Sequence, residues 1–169
     1  MNYASIRTCD IANGEGVRVS LFVSGCTHCC KGCFNEEAWD FSYGQPFTEK
    51  TESELLAALE PEFIDGLTLL GGEPMEPENQ RALAPFLRRF RERFGATKTL
   101  WIYTGCIWEN LAGKSGQYRW RIDVTDEILA MTDVLVDGPF IEDLKDISLK
   151  FRGSSNQRII DIKKGKVLT

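Results

Sequence analysis

A cluster of cysteines constrains this chain more than any other feature of its sequence. Four of the six cysteines, at positions 26, 29, 30 and 33, fall within eight residues. Such short spacings cannot close useful disulfide loops, and a cytosolic protein keeps its thiols reduced. The polar stretch at residues 1–11 does not resemble a signal peptide, and no apolar run approaches the ~20 residues that span a membrane. We therefore expect a cytosolic protein without a membrane segment, whose cysteine cluster binds a metal.

Three of these cysteines have the spacing of an iron–sulfur site. Cys26, Cys30 and Cys33 form a C-x3-C-x2-C pattern, and no fourth cysteine stands at a suitable distance. A cubane cluster normally takes one cysteine thiolate for each iron, so three ligands would leave one iron open. An open coordination position is typical of a metal centre that reacts. Gly25 and Gly32 suit the tight backbone that must wrap such a cluster.

Structural zinc is the main alternative for this segment, with Cys26, Cys29, Cys33 and His28 as its ligands. The two C-x2-C pairs are adjacent, however, and lack the roughly dozen residues that normally separate zinc knuckles. Cys29 is therefore either a spare thiol or a substitute ligand. His28, the only histidine, is either a hydrogen-bond donor near the cluster or an exposed loop residue.

The composition limits the fold and the kinds of partner. With 169 residues, 43% of them hydrophobic, the chain is predicted to form one globular domain over residues 1–169. Its net charge of -5 argues against a surface for polyanions, because phosphate neutralisation needs clustered Lys and Arg. We expect no nucleic-acid partner.

Short apolar segments alternate with helical patterns along the chain. Because the strands are apolar throughout rather than alternating, they predict a parallel sheet covered by helices. Thr51 and Glu54 suggest a capping box, Thr125 a helix cap, and Pro85 a kink or an interrupted helix start. The predicted strands are 17–24, 66–70, 97–103, 133–136 and 158–162, and the predicted helices are 51–59, 77–94 and 125–131.

Turn motifs follow four of the predicted strands directly. In parallel sheets, binding sites gather at the carboxyl ends of the strands. The four motifs should therefore meet at one edge of the sheet and form a site. They are the cysteine cluster, Gly71-Gly72-Glu73-Pro74, Thr104-Gly105 and Asp137-Gly138-Pro139.

The chain has a C-x3-C-x2-C loop after the first predicted strand and Gly-Gly-Glu-Pro after the second. This pattern resembles that of the radical S-adenosylmethionine superfamily. More narrowly, the chain is similar to the family of proteins that activate anaerobic (class III) ribonucleoside-triphosphate reductase. The similarity spans nearly the whole sequence. The matching stretches are residues 10–14 (DIANG), 21–26 (LFVSGC), 44–48 (GQPFT), 134–138 (VLVDG) and 152–157 (RGSSNQ).

This resemblance implies a radical activase with two cofactors, a [4Fe–4S] cluster and S-adenosylmethionine. The open iron would be chelated by the amino and carboxylate groups of the methionine moiety. One electron from the reduced cluster would break the sulfonium bond and release a 5′-deoxyadenosyl radical. That radical would take hydrogen from a glycine in the glycyl-radical domain of the reductase. The electron donor is not identified by the resemblance.

The resemblance also assigns site residues. Cys26, Cys30 and Cys33 would bind the cluster. Gly32 stands where many members of the superfamily carry an aromatic residue, which leaves adenine stacking open. The cofactor-binding candidates are Gly32, Cys33 and Phe34 beside the adenosine, Gly71, Gly72 and Glu73 facing the methionyl ammonium, and Thr104 and Asp137.

The fold implied by the resemblance is α/β, a partial and open β/α barrel of the radical S-adenosylmethionine type. A complete eight-fold barrel usually needs ~250 residues, more than this chain has. Residues 107–124 depart most from the family pattern, and Trp108, Tyr118 and Trp120 there either anchor a loop or face a partner. Another glycyl-radical enzyme or a small molecule is an alternative substrate. A non-catalytic, zinc-stabilised interaction module is the alternative of a different class.

Overall fold

The computed structural model describes residues 1–114 and 116–169, so one residue of the 107–124 segment lies outside the described residues. Within this part of the chain, eight strands form one open mixed sheet in the order β3-β1-β2-β4-β5-β6-β7-β8. The strands are β1 (Asn2–Asp10), β2 (Arg18–Val23), β3 (Gln45–Pro46), β4 (Gly66–Gly71), β5 (Thr99–Tyr103), β6 (Val134–Asp137), β7 (Arg158–Asp161) and β8 (Lys166–Val167). The helices are α1 (Glu49–Leu59), α2 (Pro77–Phe94), α3 (Trp108–Leu111) and α4 (Thr125–Met131).

The parallel arrangement predicted from the apolar strands holds at the centre of the sheet. Strands β2, β4, β5 and β6 are neighbours and run parallel. Every residue of β4 but the last is buried, which explains why its sequence shows no alternation. The centre of the sheet thus aligns the carboxyl ends of four strands along one edge.

The outer strands differ from the prediction, because they pair antiparallel. β1 and β7 flank the parallel centre, and β3 and β8 lie at the two ends of the sheet. β1 was not predicted, because residues 1–11 are polar. Most of its residues are half-buried or exposed, so its place depends on backbone pairing with β2 rather than on apolar burial.

The long helix α2 packs its apolar face on the core. Leu83, Phe86, Leu87 and Phe90 are buried, as their helical spacing predicted. Pro85 lies inside the helix, which nevertheless runs continuously from Pro77 to Phe94. No helix in the described ranges combines the length and apolar character needed to cross a membrane.

Two predicted helix caps are wrong. Helix α1 begins two residues earlier than expected, and Thr48 caps it in a box with Thr51 rather than Thr51 with Glu54. The cap residue of α4 is Val124, and its side chain makes no capping bond. The Thr125 hydroxyl instead donates to the Gln80 side chain at 2.7 Å, because that buried amide needs a partner.

Arg18 lies at the opposite edge of the sheet, at the amino ends of the parallel strands. Its side chain is only 1% exposed. The guanidinium donates to the Thr68 hydroxyl at 2.7 Å, to the Leu67 carbonyl at 2.8 Å and to the Thr99 carbonyl at 2.9 Å. Burial lowers the pKa of Arg18 to about 10, which still leaves the group charged at neutral pH.

Candidate active site

A cavity lies at the carboxyl edge of the parallel strands. Each of the four strand-end motifs contributes residues to its wall, so the predicted convergence is confirmed. The wall contains Cys26, Cys30 and Cys33 after β2, Gly71, Gly72 and Glu73 at the end of β4, Thr104 and Gly105 after β5, and Gly138 after β6.

The three cysteines of the C-x3-C-x2-C pattern all line this cavity, and Cys29 does not. Cys29 is exposed and has a φ of 50°, a left-handed conformation that turns the loop between its neighbours. Burial raises the pKa of the Cys26 thiol to about 12 and also raises the pKa of Cys30. A metal bound here would have to displace the thiol protons.

The arrangement of donor atoms fits a multinuclear cluster better than a single zinc ion. Ligands of one tetrahedral zinc ion converge on a point, with bonds of about 2.3 Å to sulfur and about 2.0 Å to nitrogen. Across the described residues, the one group of three or more His, Cys, Asp or Glu ligand atoms within 4.8 Å of one another is His28, Glu73 and Cys106. The thiols of Cys26, Cys30 and Cys33 line the cavity but are not all within 4.8 Å of one another, as thiols around a single zinc ion would be.

Glu73 is a buried polar side chain of the cavity wall that is held by three contacts. It is 1% exposed. Its Oε1 accepts a hydrogen bond from Met75 N at 2.8 Å, and its Oε2 accepts one from Gly105 N at 2.8 Å. His28 Nε2 lies 2.7 Å from the same Oε2. Three contacts therefore orient a carboxylate whose two oxygens have about four acceptor positions.

His28 is a hydrogen-bond partner in the site and not an exposed loop residue. Its side chain is 12% exposed, and it bonds Glu73. Burial lowers the pKa of His28, but the hydrogen bond and charge of Glu73, with the charge of Glu76, raise it above the ordinary value overall. Cys106 Sγ lies 3.8 Å from His28 Nε2.

The two glycines at the end of β4, Gly71 and Gly72, permit close backbone packing beside the cavity. A Cβ at Gly72 would lie 2.6 Å from the Gly25 carbonyl oxygen and 2.8 Å from that of Ala38. Gly71 has a φ of 111°, which favours glycine. Glu73 N donates to the Gly25 carbonyl at 2.8 Å. The Gly-Gly-Glu turn thus joins the cysteine loop directly to the end of β4.

Of the predicted residues beside the adenosine, Cys33 and Phe34 reach the cavity and Gly32 does not. Gly32 has a φ of 71°, and a Cβ there would lie 2.8 Å from the Glu142 carboxylate. Phe34 is 71% exposed, and its ring centroid lies 5.3 Å from that of Phe140. The phenylalanine ring therefore stands at the mouth of the cavity.

Of the two remaining predicted cofactor-binding residues, Thr104 lines the cavity and Asp137 does not. The Thr104 hydroxyl oxygen accepts from Cys106 N at 3.0 Å. Asp137 is buried outside the cavity wall, where its carboxylate accepts from Trp108 N at 2.8 Å and from Arg158 Nε at 2.9 Å. It holds α3 and β7 against the end of β6.

Several residues of the cavity wall were missed by sequence reasoning. Within the described residues, the buried Tyr103 hydroxyl and the buried Trp39 Nε1 have no hydrogen-bond partner. Both residues line the cavity, and buried polar groups are nearly always paired. Tyr103 could have been found as the strand residue just before Thr104-Gly105. Trp39 carried no sequence signal.

The stretch at residues 152–157 also contributes to the cavity, through Gly153 and Gln157. The Gln157 side chain accepts from Gly153 N at 2.8 Å and donates to the Gly138 carbonyl at 3.1 Å. This glutamine therefore ties the stretch to the end of β6.

Comparisons with known proteins show the family of this chain. The family model of the 4Fe-4S single cluster domain matches residues 12–160, and this match places the chain among iron–sulfur proteins that hold one cluster. An anaerobic ribonucleoside-triphosphate reductase-activating protein of Pasteurella multocida is 44% identical over 161 residues, covering 94% of this chain and 96% of its own. The proteins of the same name from Escherichia coli K12 and from phage T4 are 39% and 38% identical, over 93% and 94% of this chain and 96% and 93% of their own.

The chain belongs to the family of anaerobic ribonucleoside-triphosphate reductase-activating proteins. It is an enzyme that activates by radical generation, and its cofactors are a [4Fe–4S] cluster and S-adenosylmethionine.

Proposed function

We propose that this chain holds a [4Fe–4S] cluster through Cys26, Cys30 and Cys33, cleaves S-adenosylmethionine, and generates a glycyl radical on anaerobic ribonucleoside-triphosphate reductase. One observation carries the proposal: the three thiols share a cavity with the Gly71–Glu73 turn at the carboxyl edge of the sheet. The names of the relatives support the reductase as the target. When bound, the reduced cluster supplies the electron that splits the sulfonium into methionine and a 5′-deoxyadenosyl radical.

The protein's own contribution is to bind and orient S-adenosylmethionine. The Glu73 carboxylate, already oriented by three contacts, has acceptor capacity left for the methionyl ammonium. Because it is oriented before the cofactor binds, little reorganisation accompanies binding. Gly71 and Gly72 let backbone groups approach the same end of the cofactor.

The adenosine is proposed to lie toward Cys33, Phe34 and Thr104, on the wall between the cysteine loop and β5. Gly32 acts by letting the loop turn beside Glu142. Asp137 acts by holding the end of β6, from which Gly138 reaches the cavity.

The open sheet is proposed to be a partial β/α barrel, formed by one domain over residues 1–169. The four parallel strands and their covering helices support this assignment. A barrel that is not closed leaves room for a glycine-bearing loop of a protein substrate. Free thiols at all six cysteines suit the cytoplasm. An electron donor must reduce the cluster.

The test is reconstitution with iron and sulfide under anaerobic conditions. We expect a brown protein that, once reduced, forms 5′-deoxyadenosine from S-adenosylmethionine and a glycyl radical on added reductase, detected by electron paramagnetic resonance. A colourless zinc protein would contradict the proposal and favour the interaction module. Formation of 5′-deoxyadenosine without a glycyl radical would point to another target.

Replacing Glu73 by glutamine is expected to weaken S-adenosylmethionine binding. Glu73→Gln removes the negative charge and turns one acceptor into an NH2 group facing existing donors. We expect the KM for S-adenosylmethionine to rise about tenfold, equivalent to about 1.4 kcal/mol. The measurement is the rate of 5′-deoxyadenosine formation against cofactor concentration.

The matched control is Glu78→Gln, an exposed position near the start of α2. It should leave the KM unchanged. An unchanged KM in Glu73→Gln would remove Glu73 from the proposed cofactor site.

A further inference from the structure

Tyr118, Arg119 and Trp120, here called the aromatic brace, lie against the cysteine loop. The Trp120 ring stacks on the His28 ring, with centroids 4.7 Å apart and planes 13° apart. The guanidinium of Arg119 lies 3.9 Å from the centroid of the Trp120 ring, and the Tyr118 ring packs beside it at 5.1 Å. The 107–124 segment is therefore anchored at these residues, on the very loop that carries the cluster ligands.

Arg119 adds a polar attachment to the same loop. Its guanidinium donates to the Thr27 hydroxyl and lies 3.8 Å from the Glu76 carboxylate. Glu76 is buried and accepts from Thr27 N at 2.8 Å. The brace thus contacts both residues that follow Cys26.

The brace is itself fixed to the body of the protein. The Trp120 carbonyl accepts from the Gln80 amide at 2.6 Å, and Gln80 is fully buried in α2. The same Gln80 amide donates to the Met75 carbonyl at 2.7 Å. A rigid helix therefore lies behind the brace, whereas residues 26–30 belong to no helix or strand.

We propose that the aromatic brace is a positioning element of the active site, which holds the cysteine loop in place and, through His28, orients the Glu73 carboxylate. Trp120 confines the His28 ring by stacking, and His28 in turn bonds Glu73 at 2.7 Å. Stacked aromatic rings and a cation over an indole both contribute favourable energy, and here they act on a loop that has no regular structure. The part that concerns the cofactor rests on the proposed function.

The first test uses the metal-free protein and does not depend on any activity. Trp120→Ala should increase the rate at which Cys26 and Cys30 are alkylated by iodoacetamide under anaerobic conditions, by about fivefold, because a freed loop opens more often. Mass spectrometry separates the cysteines, and exposed Cys9 serves as an internal reference whose rate should not change.

Three further variants make this result specific. Trp120→Phe keeps a stacking ring and should restore the wild-type rates. Arg119→Gln removes the bond to Thr27 at an exposed position and should also increase alkylation of Cys26. Arg121→Ala removes contacts of the next residue with Asp126 of α4 and with the Leu111 carbonyl, neither of which belongs to the cysteine loop, and should leave the alkylation rates unchanged.

The second test uses the reconstituted enzyme without reductase. In Trp120→Ala, the KM for S-adenosylmethionine should rise about tenfold while kcat for 5′-deoxyadenosine formation changes less than about twofold. The proposed role of the brace would be wrong if Trp120→Ala left the alkylation rates of Cys26 and Cys30 unchanged, or if Arg121→Ala raised them equally. A wild-type protein that forms no 5′-deoxyadenosine would overturn the proposed function and leave the alkylation test valid.

Discussion

Replacing Cys30 by serine is expected to abolish binding of the iron–sulfur cluster, whereas Cys29→Ser should retain it. Cys30 lines the cavity, and a serine hydroxyl is a poor substitute for a thiolate toward iron. With one of three ligands lost, the cluster would be held by two thiolates and exposed to solvent. The measurement is iron and sulfide content after anaerobic reconstitution, together with the visible absorption of the protein.

Cys29 is the matched control because it is the immediate neighbour and an equally free thiol. Its exposed side chain lies outside the cavity wall, and serine tolerates the turn at this position. Equal loss of iron in Cys29→Ser and Cys30→Ser would show that Cys29 also binds the metal. The C-x3-C-x2-C ligand set would then be wrong, and the zinc alternative would regain support.

The second large effect concerns stability. Arg18→Met should lower the free energy of unfolding by about 3 kcal/mol, because the buried carbonyls of Leu67 and Thr99 lose their donors. Methionine can fill much of the space beside Trp101, so the lost hydrogen bonds dominate the effect. Urea unfolding of the metal-free protein under anaerobic conditions measures the difference.

Arg81→Met is the control for this change. Arg81 forms an exposed ion pair with Asp123, and such pairs contribute little to stability. Equal stabilities of Arg18→Met and the wild type would mean that the carbonyls at the amino ends of the strands find other partners.

Much of the fold could be predicted from patterns that depend on near neighbours in the sequence. The buried strands β2 and β4 are short, mainly apolar segments, and the apolar face of α2 repeats at helical spacing. β1 could not be predicted in this way, because a polar strand is defined by the backbone of the strand it pairs with. The cap of α1 shifted from Thr51 to Thr48, because helix ends depend on backbone angles that composition leaves open.

The site, like the fold, could be predicted only in part from the sequence. The convergence of four strand ends followed from element order, since parallel strands must end at one edge of the sheet. The contacts between segments that are distant in the sequence could not be predicted from the order of the elements. Asp137 is a polar residue at the end of a strand, much as Glu73 is, yet its carboxylate bonds Arg158 and the Trp108 backbone and does not line the cavity.

The sequence by itself determined that Cys26, Cys30 and Cys33 share one loop at the end of a strand, because three positions within eight residues cannot separate far in space. It also determined that the Gly-Gly-Glu turn follows a neighbouring strand. Only the tertiary structure decided that Cys29 lies outside the cavity, that His28 bonds Glu73, and that Trp120 stacks on His28. His28 and Glu73 are 45 positions apart in the sequence, and His28 and Trp120 are 92 positions apart. Only packing of the whole chain brings such distant residues together.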